Sequence, residues 1–273
     1  MRIRIYASPD IKKEHPFCDF INMINRRIAM TNGYVVTEEQ PDIVHIIGCW
    51  DQEAFRITKK MCNMRIPYVY STMEGLLPWN REKWSDNILF YSHQKKAISH
   101  AALILAGGEL EKNSLEELKW NKHITTITNP LTTNSVTEEN TIQLLLSYYE
   151  HVKKEHEKTI RCEIEQHVKS MPLDNDDARK VMRMFMYASY LCRRKMIPQN
   201  FLDEFSQILT TTDYDEKLME NMLCKNNLIM MAARIEQVMA DESTLTEGFM
   251  PVTARDDKET DKIKNYKTRY QRS

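Results

Sequence analysis

Six residues of this chain carry groups that could contact a small polar ligand. Imidazole and hydroxyl groups can hydrogen-bond to ligand hydroxyls, indole rings can stack on apolar ligand faces, and backbone N–H groups at a glycine turn can receive an anion. All six lie within or next to apolar runs that are typical of buried strands: His45, Trp50, Ser71, Trp79, Gly107 and Gly108. No Ser-His-Asp order, phosphate-binding Walker loop or metal-ligand cluster accompanies them, so the pattern predicts ligand contacts and assigns no catalytic residue, metal or cofactor.

Each candidate also has a structural interpretation. His45 stands between Val44 and Ile46 in an apolar run, which is the usual setting of a core histidine with satisfied hydrogen bonds. The two Trp side chains could pack in the core rather than stack on a ligand, and Gly107-Gly108 could be a simple tight turn. Both interpretations of each residue stay open at this stage.

The elements that must position these residues follow an alternating pattern. Two apolar runs, at 43–47 and 67–70, flank a helix-compatible stretch at the spacing of one βαβ unit. Further strands are predicted at 3–7, 34–36, 101–106 and 123–128, and they alternate with amphipathic stretches that include 17–28 and 110–120. Such apolar, non-alternating strands predict a parallel sheet covered on both faces, and we assign residues 1–133 to a Rossmann-like α/β domain. Ligands of such sheets bind at the carboxyl ends of the strands, where the six candidates lie.

The sequence changes character after Pro130. Apolar stripes at helical spacing predict a long helix from about Thr137 to Met171, another from Asp174, a third after Pro198 and a fourth over Tyr214–Met239. We therefore assign residues 134–252 to an all-α domain. From Thr253 the chain turns polar, and five cations follow without an acid among them: Lys262, Lys264, Lys267, Arg269 and Arg272. Residues 253–273 are predicted to be a disordered basic tail, which could touch an anionic membrane surface.

Bulk composition excludes several classes of protein. The 273 residues carry a formal net charge of −1, which gives no global field to attract nucleic acid. The six cysteines show no paired spacing, a pattern typical of reduced thiols in the cytoplasm. Neither a signal peptide nor an apolar run long enough for a transmembrane segment is present, so we predict a soluble cytoplasmic protein.

Four segments together resemble a known family. They are DIVHIIGCW at 42–50, IPYVYSTMEGLLPW at 66–79, KKAISHAALILAGGELE at 95–111 and ITNPL at 127–131. Their order and spacing are similar to the N-terminal, acceptor-side half of the GT-B glycosyltransferases of family 4, the glycosyl transferases group 1. The resemblance covers a little under half of the chain. It implies a Rossmann-like domain of the GT-B type and a sugar or nucleotide-sugar ligand.

Departures from the family pattern bear on activity. The family's second His after the first motif strand falls on Ile47, the His of its SPHG motif falls on Met73, and the following Gly falls on Glu74. Neither Ile nor Met can hydrogen-bond to a sugar or stabilise a developing charge. The family's first glycine pair is absent from SPDIKKEHPF at 8–17, and helices stand where its donor domain would follow.

Three functional hypotheses remain. The first is a glycosyltransferase-like binding or interaction module without independent transferase activity, which the departures favour. The second is the acceptor-side subunit of a split enzyme whose partner protein supplies the donor half. The third is a small complete transferase that uses a nucleotide-sugar donor.

Overall fold

The computed structural model describes residues 1–13, 17–84, 87–173, 175–243 and 245–271. The chain forms two compact units, residues 1–157 and residues 158–273, which are called here the sheet unit and the helical unit. Within the described ranges, no helix is long and apolar enough to cross a membrane.

The sheet unit alternates strands with helices. Its elements are β1 (Arg2–Ala7), α1 (Phe17–Met30), β2 (Val35–Val36), β3 (Ile43–Ile47), α2 (Gln52–Met64), β4 (Tyr68–Ser71), α3 (Pro78–Arg81), α4 (Ile88–Ser99), β5 (Leu103–Ala106), α5 (Glu109–Leu118), β6 (Ile124–Thr126) and the first part of α6 (Glu138–Lys169). Short 3₁₀ turns cover Ile11–Lys13 and Glu82–Trp84.

All six strands form one parallel sheet in the order β2-β1-β3-β4-β5-β6. Every residue of β3 and β4 is buried, as expected for central strands with helices on both faces. Residues of α1 and α6 pack on one face with Ile43 and Ile47, whereas α2, α4 and α5 pack on the other with Val44 and Ile46. The predicted α/β parallel sheet is therefore confirmed.

The boundary between the units differs from the one expected at residue 133. The first part of α6 packs on the sheet, where it contributes Ile142, Leu145, Tyr149 and Val152 to the core. The unit boundary then falls inside α6, after Glu157. The apolar stripe of α6 predicted the helix but did not indicate which of the two cores each part of the stripe contacts.

The helical unit holds the end of α6 and five further helices. These are α7 (Asp176–Arg194), α8 (Gln199–Thr211), α9 (Glu216–Lys225), α10 (Ile229–Glu242) and α11 (Lys258–Gln271), with a 3₁₀ turn at Glu247–Phe249. Phe185 of α7 and Phe205 of α8 pack edge to face at its centre, with ring centroids 4.8 Å apart. The predicted start of α7 at Asp174 lies outside the described residues.

Two expectations about this unit are wrong. The single helix predicted over 214–239 is broken between α9 and α10, where Asn227 adopts a left-handed conformation with φ of 55°. Asn tolerates this conformation, so it can end one helix and start the next. The tail predicted to be disordered forms α11 over residues 258–271, because Ile263 packs into the core and Thr260 is buried.

The start of α11 is fixed by polar contacts. The Asp257 carboxylate accepts hydrogen bonds from the backbone N–H groups of Glu259 and Thr260, and it pairs with Arg234 of α10 at 2.8 Å. Lys264, one of the supposed tail cations, pairs with Asp241 of α10 at 2.7 Å. The Lys267 and Arg269 side chains and the whole of Arg272 lie outside the described part of the chain.

Candidate functional site

A pocket of about 430 Å³ opens at the carboxyl ends of β4, β5 and β6. We call it the strand-end pocket. It is lined by Phe17, Phe20, Ser71, Met73, Glu74, Leu105, Gly107, Glu111, Ile127, Asn129 and Thr132. The strand order reverses between β1 and β3, and the pocket lies along the same carboxyl edge, displaced towards β6. This edge is where open parallel sheets bind ligands, so the pocket is the candidate site.

Glu111 forms part of the pocket wall and holds two loops together. Its carboxylate accepts hydrogen bonds from the Gly107 N–H at 2.7 Å, the Glu74 N–H at 2.5 Å and the Thr72 hydroxyl at 2.5 Å. Burial raises the pKa of this carboxyl group, and the three hydrogen bonds partly offset that rise. The Gly107 N–H, which could have received an anionic ligand, is therefore already bonded to a carboxylate of the protein.

The turn after β4 has an unusual backbone. Met73 and Glu74 have φ values of 45° and 62°, in the left-handed region that non-glycine residues rarely adopt. Next to them, a Cβ atom at Gly75 would approach the Cβ of Cys49 to 2.8 Å, so the close packing of these two loops requires glycine. Such backbone outliers cluster at functional sites, and here they bring Met73 and Glu74 to the pocket.

His45 lies beneath the pocket, in the core. It is 1% exposed, its Nδ1 lies 2.6 Å from the Tyr149 hydroxyl, and its Nε2 lies 2.7 Å from the Ser71 hydroxyl. Burial lowers the pKa of His45 to about 3, so the ring is neutral at physiological pH, with one nitrogen donating and the other accepting. This geometry is that of a core histidine with satisfied hydrogen bonds. Ser71 lines the pocket, whereas His45 does not.

The structure separates the two Trp candidates. Trp50 is buried, and its indole Nε1 donates to the Gly75 carbonyl at 2.8 Å, which braces the turn after β4. Trp79 is 54% exposed at the start of α3 and does not line the pocket. Of the glycine pair, Gly107 lines the pocket, and Gly108 is the N-cap of α5.

Sequence reasoning missed several residues of the pocket. Glu111 follows Gly107 by four positions in the first turn of α5, a spacing that points its side chain back at the turn. Asn129 lies in the segment ITNPL at 127–131 and is not among the six sequence candidates. Its Oδ1 accepts the Leu131 N–H at 3.0 Å, and its Nδ2 is shielded from solvent. Phe17 and Phe20 supply an aromatic wall from α1, and no local pattern in the sequence placed them at this edge.

The charge of the pocket restricts its chemistry. Among the described residues that line it, none is Lys, Arg or His, and two are carboxylates, Glu74 and Glu111. Repulsion by these acids disfavours phosphate and other anions. Among all the residues that the structure describes, no group of three or more His, Cys, Asp or Glu side chains is placed to hold a metal ion. The arrangement suits an uncharged ligand with hydroxyl groups and an apolar face.

Comparison of the chain with protein-family models, with curated proteins and with solved structures finds no match. Any assignment of function therefore depends on the geometry of the site and on the sequence pattern.

Proposed function

We propose that this chain is a non-catalytic, glycosyltransferase-like binding module that holds a small uncharged polyol, such as a sugar, in the strand-end pocket. The sheet unit is then of the Rossmann-like type found in the acceptor-side half of GT-B enzymes, which the four sequence segments resemble. The parallel sheet with helices on both faces is consistent with that type.

The observation that carries the proposal is the Asn129 amide. No described group accepts a hydrogen bond from its Nδ2, although the atom is buried. A buried donor without an acceptor costs about 1 to 3 kcal/mol. A rotation of the Asn129 amide towards the pocket would let a ligand hydroxyl accept this bond, and Phe17 offers aromatic surface to the apolar face of a sugar ring.

The ionisable groups of the pocket do not suit glycosyl transfer. Glycosyl transfer needs charged or proton-transferring groups positioned for the transition state. Glu74 and Glu111 are the ionisable side chains among the described residues of the pocket wall, and the Glu111 carboxylate is engaged by three donors. His45 is neutral and buried, so it cannot supply the imidazole that the family places at its cleft.

Thermal melting of the full chain tests the proposal. The ligands are neutral mono- and disaccharides, with nucleotides and nucleotide sugars as the contrast. A ligand at 100 times its dissociation constant adds about 2.7 kcal/mol of stability, which raises the melting temperature measurably. We expect a saturable rise with at least one neutral saccharide and none with the nucleotides.

Variants of the pocket provide the second readout. Asn129→Asp keeps the oxygen that accepts the Leu131 N–H and removes the amide donor, so saccharide affinity should fall about five- to tenfold. Thr132→Val removes a pocket hydroxyl, and Thr133→Val is its matched control because Thr133 does not line the pocket. A rise with a nucleotide sugar would favour the transferase or split-enzyme hypothesis instead. No rise with any saccharide would refute sugar binding.

A further inference from the structure

A second concave surface lies between α2 and α4, on one face of the sheet unit. This α2–α4 groove has a volume of about 500 Å³ and shares no described lining residue with the strand-end pocket. Its floor is aromatic: Phe55 and Phe90 pack edge to face with ring centroids 5.7 Å apart, and Tyr68 lies beside them. Such an apolar floor between two exposed rims is the form of a docking groove.

The rims of the groove are basic. Lys59 and Arg56 of α2 line it from one side, and His93 and Lys96 of α4 line it from the other. No Asp or Glu occurs among its described lining residues. Arg56 is paired with Glu53 at 3.3 Å, whereas Lys59 and Lys96 make no ion pair within the described chain. The positive charge of the rims is therefore available to a partner.

The shape of the groove suits a helix. The groove lining on α2 runs from Gln52 to Asn63, a rise of about 16 Å, or three turns. Both walls are helices whose backbone hydrogen bonds are internal, so the groove offers no free strand edge for an extended peptide. At the start of α4, Ile88 and Leu89 are 81% and 65% exposed, and Leu89 lines the groove.

We propose that the α2–α4 groove binds an acidic amphipathic helix of a partner protein. Apolar side chains at i, i+3, i+4 and i+7 of that helix contact Phe55, Phe90 and Leu89, and its Asp or Glu side chains face Lys59 and Lys96. The contact area is apolar and the rims are complementary in charge, so binding depends on both. This site is independent of the strand-end pocket.

Fluorescence polarisation of the full chain with labelled peptides tests the proposal. The probes are designed 18-residue amphipathic helices with Leu on one face and Glu on its flanks. A version with Lys in place of Glu and a scrambled version serve as contrasts. We expect saturable binding of the acidic helix, and weaker binding as salt rises from about 0.05 to 0.5 M, because exposed charge pairs are screened.

Charge variants locate the site. Lys59→Glu and Lys96→Glu should each weaken binding about three- to tenfold, because an attraction is replaced by a repulsion. Lys60→Glu and Lys95→Glu make the same change of charge at the next exposed position of each helix, outside the groove, and should change binding less than twofold.

An apolar variant checks the other half of the proposal. Leu89→Ser should weaken binding, whereas Leu110→Ser, at an equally exposed position on α5, should not. Equal binding of the basic and acidic peptides, equal effects of groove and control variants, or no binding of the acidic helix would overturn the proposal. Binding of a fatty acid such as decanoate without binding of the helix would also overturn it.

Discussion

Replacing His45 by Gln should remove much of the acid sensitivity of the sheet unit. In the fold, burial between β3 and α6 lowers the pKa of His45 to about 3. In the unfolded chain the same side chain titrates near 6.5. Between these values the unfolded state binds one more proton than the folded state, so the free energy of unfolding falls as the pH falls. The stabilisation by neutral His45 is complete above about pH 6.5 and is lost progressively below it.

The magnitude follows from the two pKa values. Between pH 7 and pH 5, protonation of the unfolded His45 alone lowers the free energy of unfolding by about 2 kcal/mol. The figure depends little on the folded pKa as long as that pKa stays well below 5. At pH 7 the Gln variant should itself be about 1 kcal/mol less stable, because Gln cannot reproduce both hydrogen bonds, to Tyr149 and to Ser71. Its stability should change less with pH than that of the natural chain.

Urea unfolding followed by Trp fluorescence measures this difference. All four Trp residues lie within residues 1–157, so the signal reports on the sheet unit. His93→Gln is the matched control, since His93 is exposed on α4. It should lose as much stability as the natural chain between pH 7 and pH 5. Equal losses in the natural chain and in His45→Gln would show that His45 is not held neutral by burial.

Three further predictions concern carboxyl groups. Glu111→Gln should lower the free energy of unfolding by about 1 to 3 kcal/mol at pH 7 in the same urea assay, because one of three converging donors loses its acceptor. Unchanged stability would contradict this. Glu74→Gly should raise stability by up to about 1 kcal/mol, since φ at this position is 62°; a loss would mean that the Glu74 side chain contributes more than the strain costs. In the helical unit, burial raises the pKa of Glu236 to about 9, so the folded state keeps a proton that the unfolded state loses. Stability should therefore fall by about 1.4 kcal/mol per pH unit between pH 5 and 9, and Glu236→Gln should abolish this slope in hydrogen exchange of α10; an unaltered slope would contradict it.

The sheet could be predicted because its signal is local. Each buried strand is an apolar run, and the spacing between runs fits a crossover helix, so the run Ile43–Ile47 and its neighbours imply parallel pairing. The unit boundary could not be predicted in this way. The amphipathic stripe of α6 shows that one face of the helix is buried. Tyr149 in this stripe contacts the sheet core, whereas Ile160 contacts the helical core. The spacing of the apolar residues is the same in both parts, so it does not distinguish the two cores.

The tail prediction failed for a related reason. The five cations between 262 and 272 predict a solvated segment, yet Ile263 packs into the helical core and Asp257 caps the helix that forms there. Arg234 and Asp241 lie outside the segment, each 23 residues before its partner, Asp257 and Lys264 respectively. A composition window over the segment alone cannot include them.

The candidate site shows the same limit and also its consequence for function. The glycine turn after β5 was identified from sequence as a place for an anion, and the structure places an anion there, but it is the Glu111 carboxylate of the chain itself. The Glu111 side chain, four residues after Gly107, thereby accepts the hydrogen bond of the backbone N–H that a phosphate would otherwise need. The pocket wall combines the aromatic ring of Phe17, the Asn129 amide and two acidic side chains. Under the proposed function, the pocket binds a neutral sugar and is a poor site for a nucleotide sugar, since the diphosphate of such a donor would face Glu74 and Glu111.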